Sequence, residues 1–142
     1  MGLSRATIVR QRSIAIAEKK GVILEVKGGF EAELDSHRGG LLCLIVSNLV
    51  QNAVEATAPT NRVDVTFRRT DGNVTVLVSD EGGGIPEPLR DHLFEPGRSG
   101  RESGSGLGLA ISQLLARQIG ADLALDSTSS EGTVFRITLP MG

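Results

Sequence analysis

Asp80-Glu81-Gly82-Gly83-Gly84-Ile85-Pro86, then Leu93-Phe94-Glu95-Pro96, then Gly104-Ser105-Gly106-Leu107-Gly108-Leu109 follow one another in a single segment of the chain. The alternating run Val74-Thr75-Val76-Leu77-Val78 just before it reads as a buried strand that carries Asp80 to the strand's end, where open sheets place ligand groups. At the far end the Gly-x-Gly-x-Gly passes directly into Leu109-Ala110-Ile111-Ser112-Gln113-Leu114-Leu115, a good helix former. Glycines let backbone N–H groups come close to an anion, and a helix start adds the positive end of its dipole. A carboxylate-tipped strand followed by a phosphate cradle is the arrangement this predicts.

Outward from that segment the chain alternates between strand-like and helical stretches. Upstream, strands over 62–70 and 73–79 meet at Asp71-Gly72, a tight hairpin signal. Before them, the longest helical stretch covers 38–57, with Pro59 beyond its end as a stop. Nearer the start, residues 7–20 have helix-forming composition without one clean apolar stripe, and Gly21 ends them. A strand over 22–26 follows, ended by Gly28-Gly29, with a short second strand expected at 32–34. Downstream, the helix from 107 to 119 stops at Gly120, and strands over 121–127 and 133–139 flank the turn Ser129-Ser130-Glu131-Gly132. Strands grouped with helices outside strict alternation predict an α+β, two-layer α/β sandwich, with helices on one face of a mostly antiparallel or mixed sheet.

Whole-chain properties narrow the function classes. A chain of 142 residues is about one domain. Fifteen lysines and arginines stand against 17 acids, a formal charge of −2 with no dense basic block, and aromatics are 3% with no Trp or Tyr. Nucleic acid is therefore not an expected partner, lacking both the electrostatic footprint and the stacking platforms. Cys43 is the sole cysteine, so an internal disulfide is excluded, and its apolar setting reads as a small buried hydrophobe. No apolar run is expected to span a membrane and no signal core is visible, so the reading is a cytoplasmic domain without direct membrane contact.

The helix over 38–57 carries a second feature. At about 100° per residue, Leu42, Val46, Leu49, Val50, Ala53 and Val54 share one wide apolar face, while Asn48, Asn52 and Glu55 lie together opposite. Two readings stand side by side. The amides and acid form a solvated face, or the amide oxygens serve a hard cation such as Mg²⁺, which takes a few oxygen ligands plus phosphate and water. Leu41, Leu44 and Ile45 project from the same side one turn earlier, which makes that side less plainly solvent.

Taken in order, Asn48-Leu49-Val50-Gln51-Asn52-Ala53-Val54-Glu55, Asp80-x-Gly82-x-Gly84, Phe94-Glu95-Pro96, Gly104-x-Gly106-x-Gly108-Leu109 and Gly132-Thr133 resemble the N, G1, F, G2 and G3 boxes of the ATP-binding catalytic domain of sensor histidine kinases. That family shares the Bergerat-type ATP-binding fold with gyrase, HSP90 and MutL, and the resemblance covers about residues 22–140. Each box alone is weak, whereas all of them in order are specific. The resemblance implies that ATP and Mg²⁺ are the cofactors, with Asn52 on the Mg²⁺ and Asn48 lining the same site. It implies that Asp80 accepts from the adenine amino group, helped by Thr133 through a shared water, with Gly82 and Gly84 letting the chain pass close to the base and Ile85 and Phe94 also among the ATP-binding residues. Gly104, Gly106 and Gly108 would hold the phosphates, with Ser105, Leu107 and Leu109 between and after them also in the ATP site, and residues 95–105 would form a lid, in which Arg98 and Arg101 would contact phosphate. The glycines Gly97, Gly100 and Gly104 support a rearrangeable lid independently.

Departures from the pattern are informative. Glu55 stands where many members carry lysine, and Gly97-Arg98-Ser99-Gly100 stands where aromatic and threonine residues are frequent. Hydrolysing relatives place a glutamate one turn before the metal asparagine, and Asn48 is there instead, a poor base that suits transfer to a protein group. His37 is followed by Arg38-Gly39 and His92 by Leu93-Phe94, so neither resembles a phosphoacceptor histidine followed by an acid. The expectation is a catalytic fragment: residues 1–20 as a connecting helix from a missing dimerisation domain and 21–142 as the ATP-binding kinase domain. Its expected partners are a histidine-bearing dimerisation domain in the parent protein, whether or not that protein is membrane-anchored, and a downstream response regulator. The alternatives are an anti-sigma-factor serine kinase and a nucleotide-binding module without catalysis.

Overall fold

A computed structural model describes residues 5–28, 36–95 and 108–140. In chain order its elements are α1 (Arg5–Lys20), β1 (Ile23–Lys27), α2 (Ser36–Ala56), β2 (Arg62–Thr70), β3 (Asn73–Asp80), α3 (Glu87–Arg90), α4 (Gly108–Gln118), β4 (Asp122–Ser129) and β5 (Gly132–Pro140). The expected strand at 32–34 lies outside the described residues. The short α3 was not expected from the sequence: a single turn opened by Pro86 and Pro88 is too short to show any periodicity.

The strands form one sheet in the order β1-β2-β3-β5-β4, in which β1 runs parallel to β2 and the remaining neighbours are antiparallel. The sheet is thus mixed, as the sequence predicts. At the β2–β3 hairpin both turn residues take positive φ, 45° at Asp71 and 79° at Gly72, the backbone of a two-residue turn whose twist matches the strands it joins.

Burial alternates strictly along β3 and β5, so one sheet face is covered and the other is not. On the covered face, cross-strand pairs run Val74 with Leu139, Val76 with Ile137, Val78 with Phe135, and finally Asp80 with Thr133. Three apolar rows therefore end in one polar row at the edge of the core. On the open face, Arg62 bridges Asp64 at 2.8 Å and also Glu25 across the parallel β1–β2 pair. Those carboxylates, Asp64 first, push the Arg62 pKa further up, so this clip across the strands stays charged at any working pH.

The covered face is filled by α2. Leu42, Ile45, Val46, Leu49, Val50 and Val54 are all at most 2% exposed. Side chains of this size contribute about 1.5–3 kcal/mol each on complete burial, and α2 buries more of them than any other single element among the described residues. By length and composition α2 could cross a membrane over His37–Ala56, but its apolar stripe is spent on this sheet and on its helical neighbours. Cys43 is buried on the same helix.

Packed beside α2 are α1 on one side and α4 on the other. Ser13 and Ala17 of α1 are buried, and the Lys20 ammonium donates to the carbonyls of Val54 and Glu55 at 2.9 and 2.8 Å. These carbonyls lie in the last turn of α2, where the helical ladder runs out and a cation meets the negative end of the dipole; the Val54 carbonyl also accepts the Thr57 N–H at 3.2 Å.

Candidate nucleotide-binding site

The site grows from the end of the polar row. Asp80 is 9% exposed and Thr133, directly opposite it, is 4% exposed. One Asp80 carboxylate oxygen accepts the Gly82 N–H at 2.9 Å, which turns the chain sharply at the strand's end and fixes the carboxylate. The turn then runs against two other segments. A Cβ at Gly82 would stand 2.6 Å from the Ala56 carbonyl oxygen, and one at Gly84 would stand 2.2 Å from the Ser129 carbonyl oxygen. Both glycines are therefore required by the chain's own packing, whatever else they approach.

The far side of the turn is tied to the β4–β5 hairpin. The Ile85 N–H donates to the Thr128 hydroxyl at 3.0 Å, and that hydroxyl is 2.9 Å from the Thr133 hydroxyl. Sequence reasoning did not single out Thr128. Its only sequence signal is its place before the hairpin turn, where the register sets it opposite Thr133. Phe94, half-buried after α3, meets Phe135 edge to face with centroids 6.4 Å apart. This ring contact anchors the segment after α3 to the strand that carries Thr133.

Asn48 and Asn52 are half-buried at the α2–α4 contact, not on a solvated face. The Asn48 amide donates to the buried Ser112 hydroxyl at 3.3 Å. A Cβ at Gly108, the first residue of α4, would stand 3.6 Å from the Asn52 amide nitrogen and 3.7 Å from its oxygen. Residues 48, 52 and 56 recur every fourth position, so one stripe of α2 meets Ser112, the start of α4 and the Gly82 turn in succession. That stripe covers about 12 Å of helix axis. It places the amide of Asn52 beside a helix N-terminus, the end of a helix that attracts anions, and joins this end to the Asp80 turn.

Of the residues expected to form the site, the structure brings together Asp80, Gly82, Gly84, Ile85 and Thr133 at one end, and Asn48, Asn52 and Gly108 at the other. Leu109 packs into the core at 5% exposed. Arg98, Arg101, Gly104, Ser105, Gly106, Leu107 and most of the expected lid lie outside the described residues. Among the described residues no group of three or more His, Cys, Asp or Glu side chains could hold a metal ion.

Comparison with known proteins agrees with this geometry. Residues 38–142 match the family described as histidine kinase-, DNA gyrase B- and HSP90-like ATPase. The sensor protein CutS of Streptomyces coelicolor is 38% identical over 134 residues, 89% of this chain and 32% of its own length. The heme sensor protein HssS of Staphylococcus haemolyticus is 35% identical over 102 residues, 70% of this chain and 22% of its own length. The chain thus spans about a third or less of the curated relatives it matches. Among solved structures, a mycobacterial sensor histidine kinase, MprB, superposes with a TM-score of 0.72 at 27% identity, covering 95% of both chains. Full-length ShkA in complex with AMPPNP superposes with a TM-score of 0.77 at 26% identity, covering 100% of this chain and 31% of that one. The mixed sheet, the Asp80 turn, the asparagine stripe and these matches together make the chain a member of the histidine kinase-, DNA gyrase B- and HSP90-like ATPase family, as an ATP-binding catalytic domain of the sensor histidine kinase type.

Proposed function

We propose that this domain binds Mg-ATP and transfers the γ-phosphoryl group to a histidine on the dimerisation domain of its parent protein, from which a response regulator takes it. The observation that carries this reading is the stripe of α2, which puts the Asn52 amide at the start of α4 and the Ala56 carbonyl against the Asp80 turn. Adenine would lie at the Asp80 and Thr133 end, where a buried carboxylate reads the exocyclic amino group. The phosphates would lie at the Asn52 and Gly108 end.

Mg²⁺ fits the donor set, because a single neutral amide beside an anion-attracting helix start suits a hard cation that arrives with phosphate and keeps its waters. Asn52 would hold it, and when bound it would neutralise charge on the phosphates. The chain's own residues orient the nucleotide. Positioning and charge neutralisation do most of the work of phosphoryl transfer, so no strong base is needed. The acceptor imidazole nitrogen forms the N–P bond as the bridging P–O bond to the β-phosphate breaks and ADP leaves. Asn48 supports transfer over hydrolysis: its amide cannot take a proton from water, and it is engaged with Ser112. In this reading α1 is the segment through which the domain joins its parent protein.

Asn52→Asp is expected to change the Mg²⁺ dependence of ATP binding while leaving the fold intact, since the substitution keeps shape and adds a charge. Magnesium titrations of nucleotide binding, beside circular dichroism, would show it. An unaltered Mg²⁺ dependence would remove Asn52 from the metal.

Phosphoryl transfer itself is tested with radiolabelled ATP. The isolated chain is expected to label itself negligibly and hydrolyse slowly. Adding the parent's histidine-bearing domain in trans is expected to give an acid-labile, alkali-stable product, formed inefficiently because separation removes the effective concentration of a tether. An acid-stable product would indicate a serine acceptor, and no transfer would indicate a binding module.

A further inference from the structure

We infer that Thr128 is a positioning residue for adenine recognition, acting through the hydroxyl of Thr133. This rests on the reading that adenine lies against Asp80 and Thr133. Thr128 sits at the end of β4, opposite Thr133 in the register, and its hydroxyl serves two partners: the Ile85 N–H at 3.0 Å and the Thr133 hydroxyl at 2.9 Å.

A hydroxyl has one proton and two acceptor sites. Thr128 accepts from the Ile85 N–H, which has no choice of role, and a hydroxyl that accepts becomes a better donor. The 2.9 Å contact between the two hydroxyls allows either to donate, and in this inference Thr128 gives its proton to the Thr133 oxygen. In that direction the Thr133 proton turns toward the base edge, beside the Asp80 carboxylate on the neighbouring strand. The same hydroxyl holds the Ile85 end of the glycine turn, whose other end is held by the Asp80 bond to the Gly82 N–H at 2.9 Å. Thr128 therefore fixes both the rotamer of Thr133 and the far end of the turn that Asp80 opens. Valine has the shape of threonine without the hydroxyl, and Thr128 is only half-buried, so the exchange removes the hydrogen bonds with little change in packing.

The test compares ATP with ITP, which carries a carbonyl where adenine has its amino group, by calorimetry on the whole chain. Thr128→Val is expected to weaken ATP about 5- to 10-fold and ITP much less, so that selectivity falls, while Thr128→Ser keeps both affinities. In a Thr133→Val background, Thr128→Val is expected to have no further effect on ATP beyond about twofold, because the hydroxyl it acts through is gone. Thr128→Ala replaces the valine variant if valine disturbs the strand end. Equal loss of ATP and ITP, no loss of either, or additive losses in the double variant would overturn the inference. Asp80→Asn, run in parallel, separates the two levels. If it abolishes selectivity while Thr128→Val does not, the inference alone fails; if it leaves selectivity intact, the adenine reading fails with it.

Discussion

Replacing Asp80 by asparagine is expected to weaken ATP about 10- to 100-fold, the equivalent of about 1.5–3 kcal/mol for one hydrogen bond to a charged group. The substitution is nearly isosteric. The asparagine oxygen can still accept the Gly82 N–H at 2.9 Å, so the turn and the fold should persist. In the proposed reading, what is lost is the anionic acceptor for the adenine amino group; the Asp80 carboxylate is held almost out of water at the end of the core row. Calorimetry on folded variant protein measures this directly. A variant that binds ATP as tightly as the parent, or a parent that binds GTP as well as ATP, would remove Asp80 from base recognition.

Gly132→Ala is expected to act on stability and binding together. A Cβ at this position would stand 2.0 Å from the Asp80 carbonyl oxygen, far inside any real contact, and 3.1 Å from the carbon of the same carbonyl. Backbone atoms cannot swing away as a flexible side chain can, so either the β4–β5 hairpin or the end of β3 must move. The cost is about 2–4 kcal/mol, which for a domain of this size lowers the melting midpoint by roughly 10 °C. Because the displaced atoms belong to Asp80, ATP affinity should fall as well. Glu131→Ala, one residue earlier in the exposed turn, should change neither. A folded Gly132→Ala variant with unaltered melting and ATP binding would contradict the close approach of β5 to the Asp80 turn.

Much of this architecture was legible because it rests on local signals. The alternation over Val74 to Val78 identified β3 and its buried face, Asp71-Gly72 gave the hairpin, and Gly21 marked the end of α1. The boxes identified the family because all of them stand in the family's order along one chain. Interactions between distant segments left little trace. Nothing in Ser13, Ala17 or Lys20 announces that α1 packs into the core and covers the last carbonyls of α2, because small and polar inward residues blur its apolar stripe. The half-burial of Asn48 and Asn52 depends on α4 packing beside α2, which helical periodicity alone does not contain. Thr128 was missed for the same reason: its role comes from strand register and from the return of the glycine turn to the hairpin.

In the proposed reading one stripe of α2 sets the two ends of a single nucleotide, the base at Asp80 and the phosphates at Asn52 and the start of α4. The most direct measurement is a crystal structure of the chain with Mg²⁺ and a non-hydrolysable ATP analogue. The expected result has the adenine amino group within hydrogen-bond distance of the Asp80 carboxylate, and the metal on the Asn52 amide oxygen beside Gly108. An analogue bound with its base away from Asp80, or with its metal held by other side chains, would contradict it.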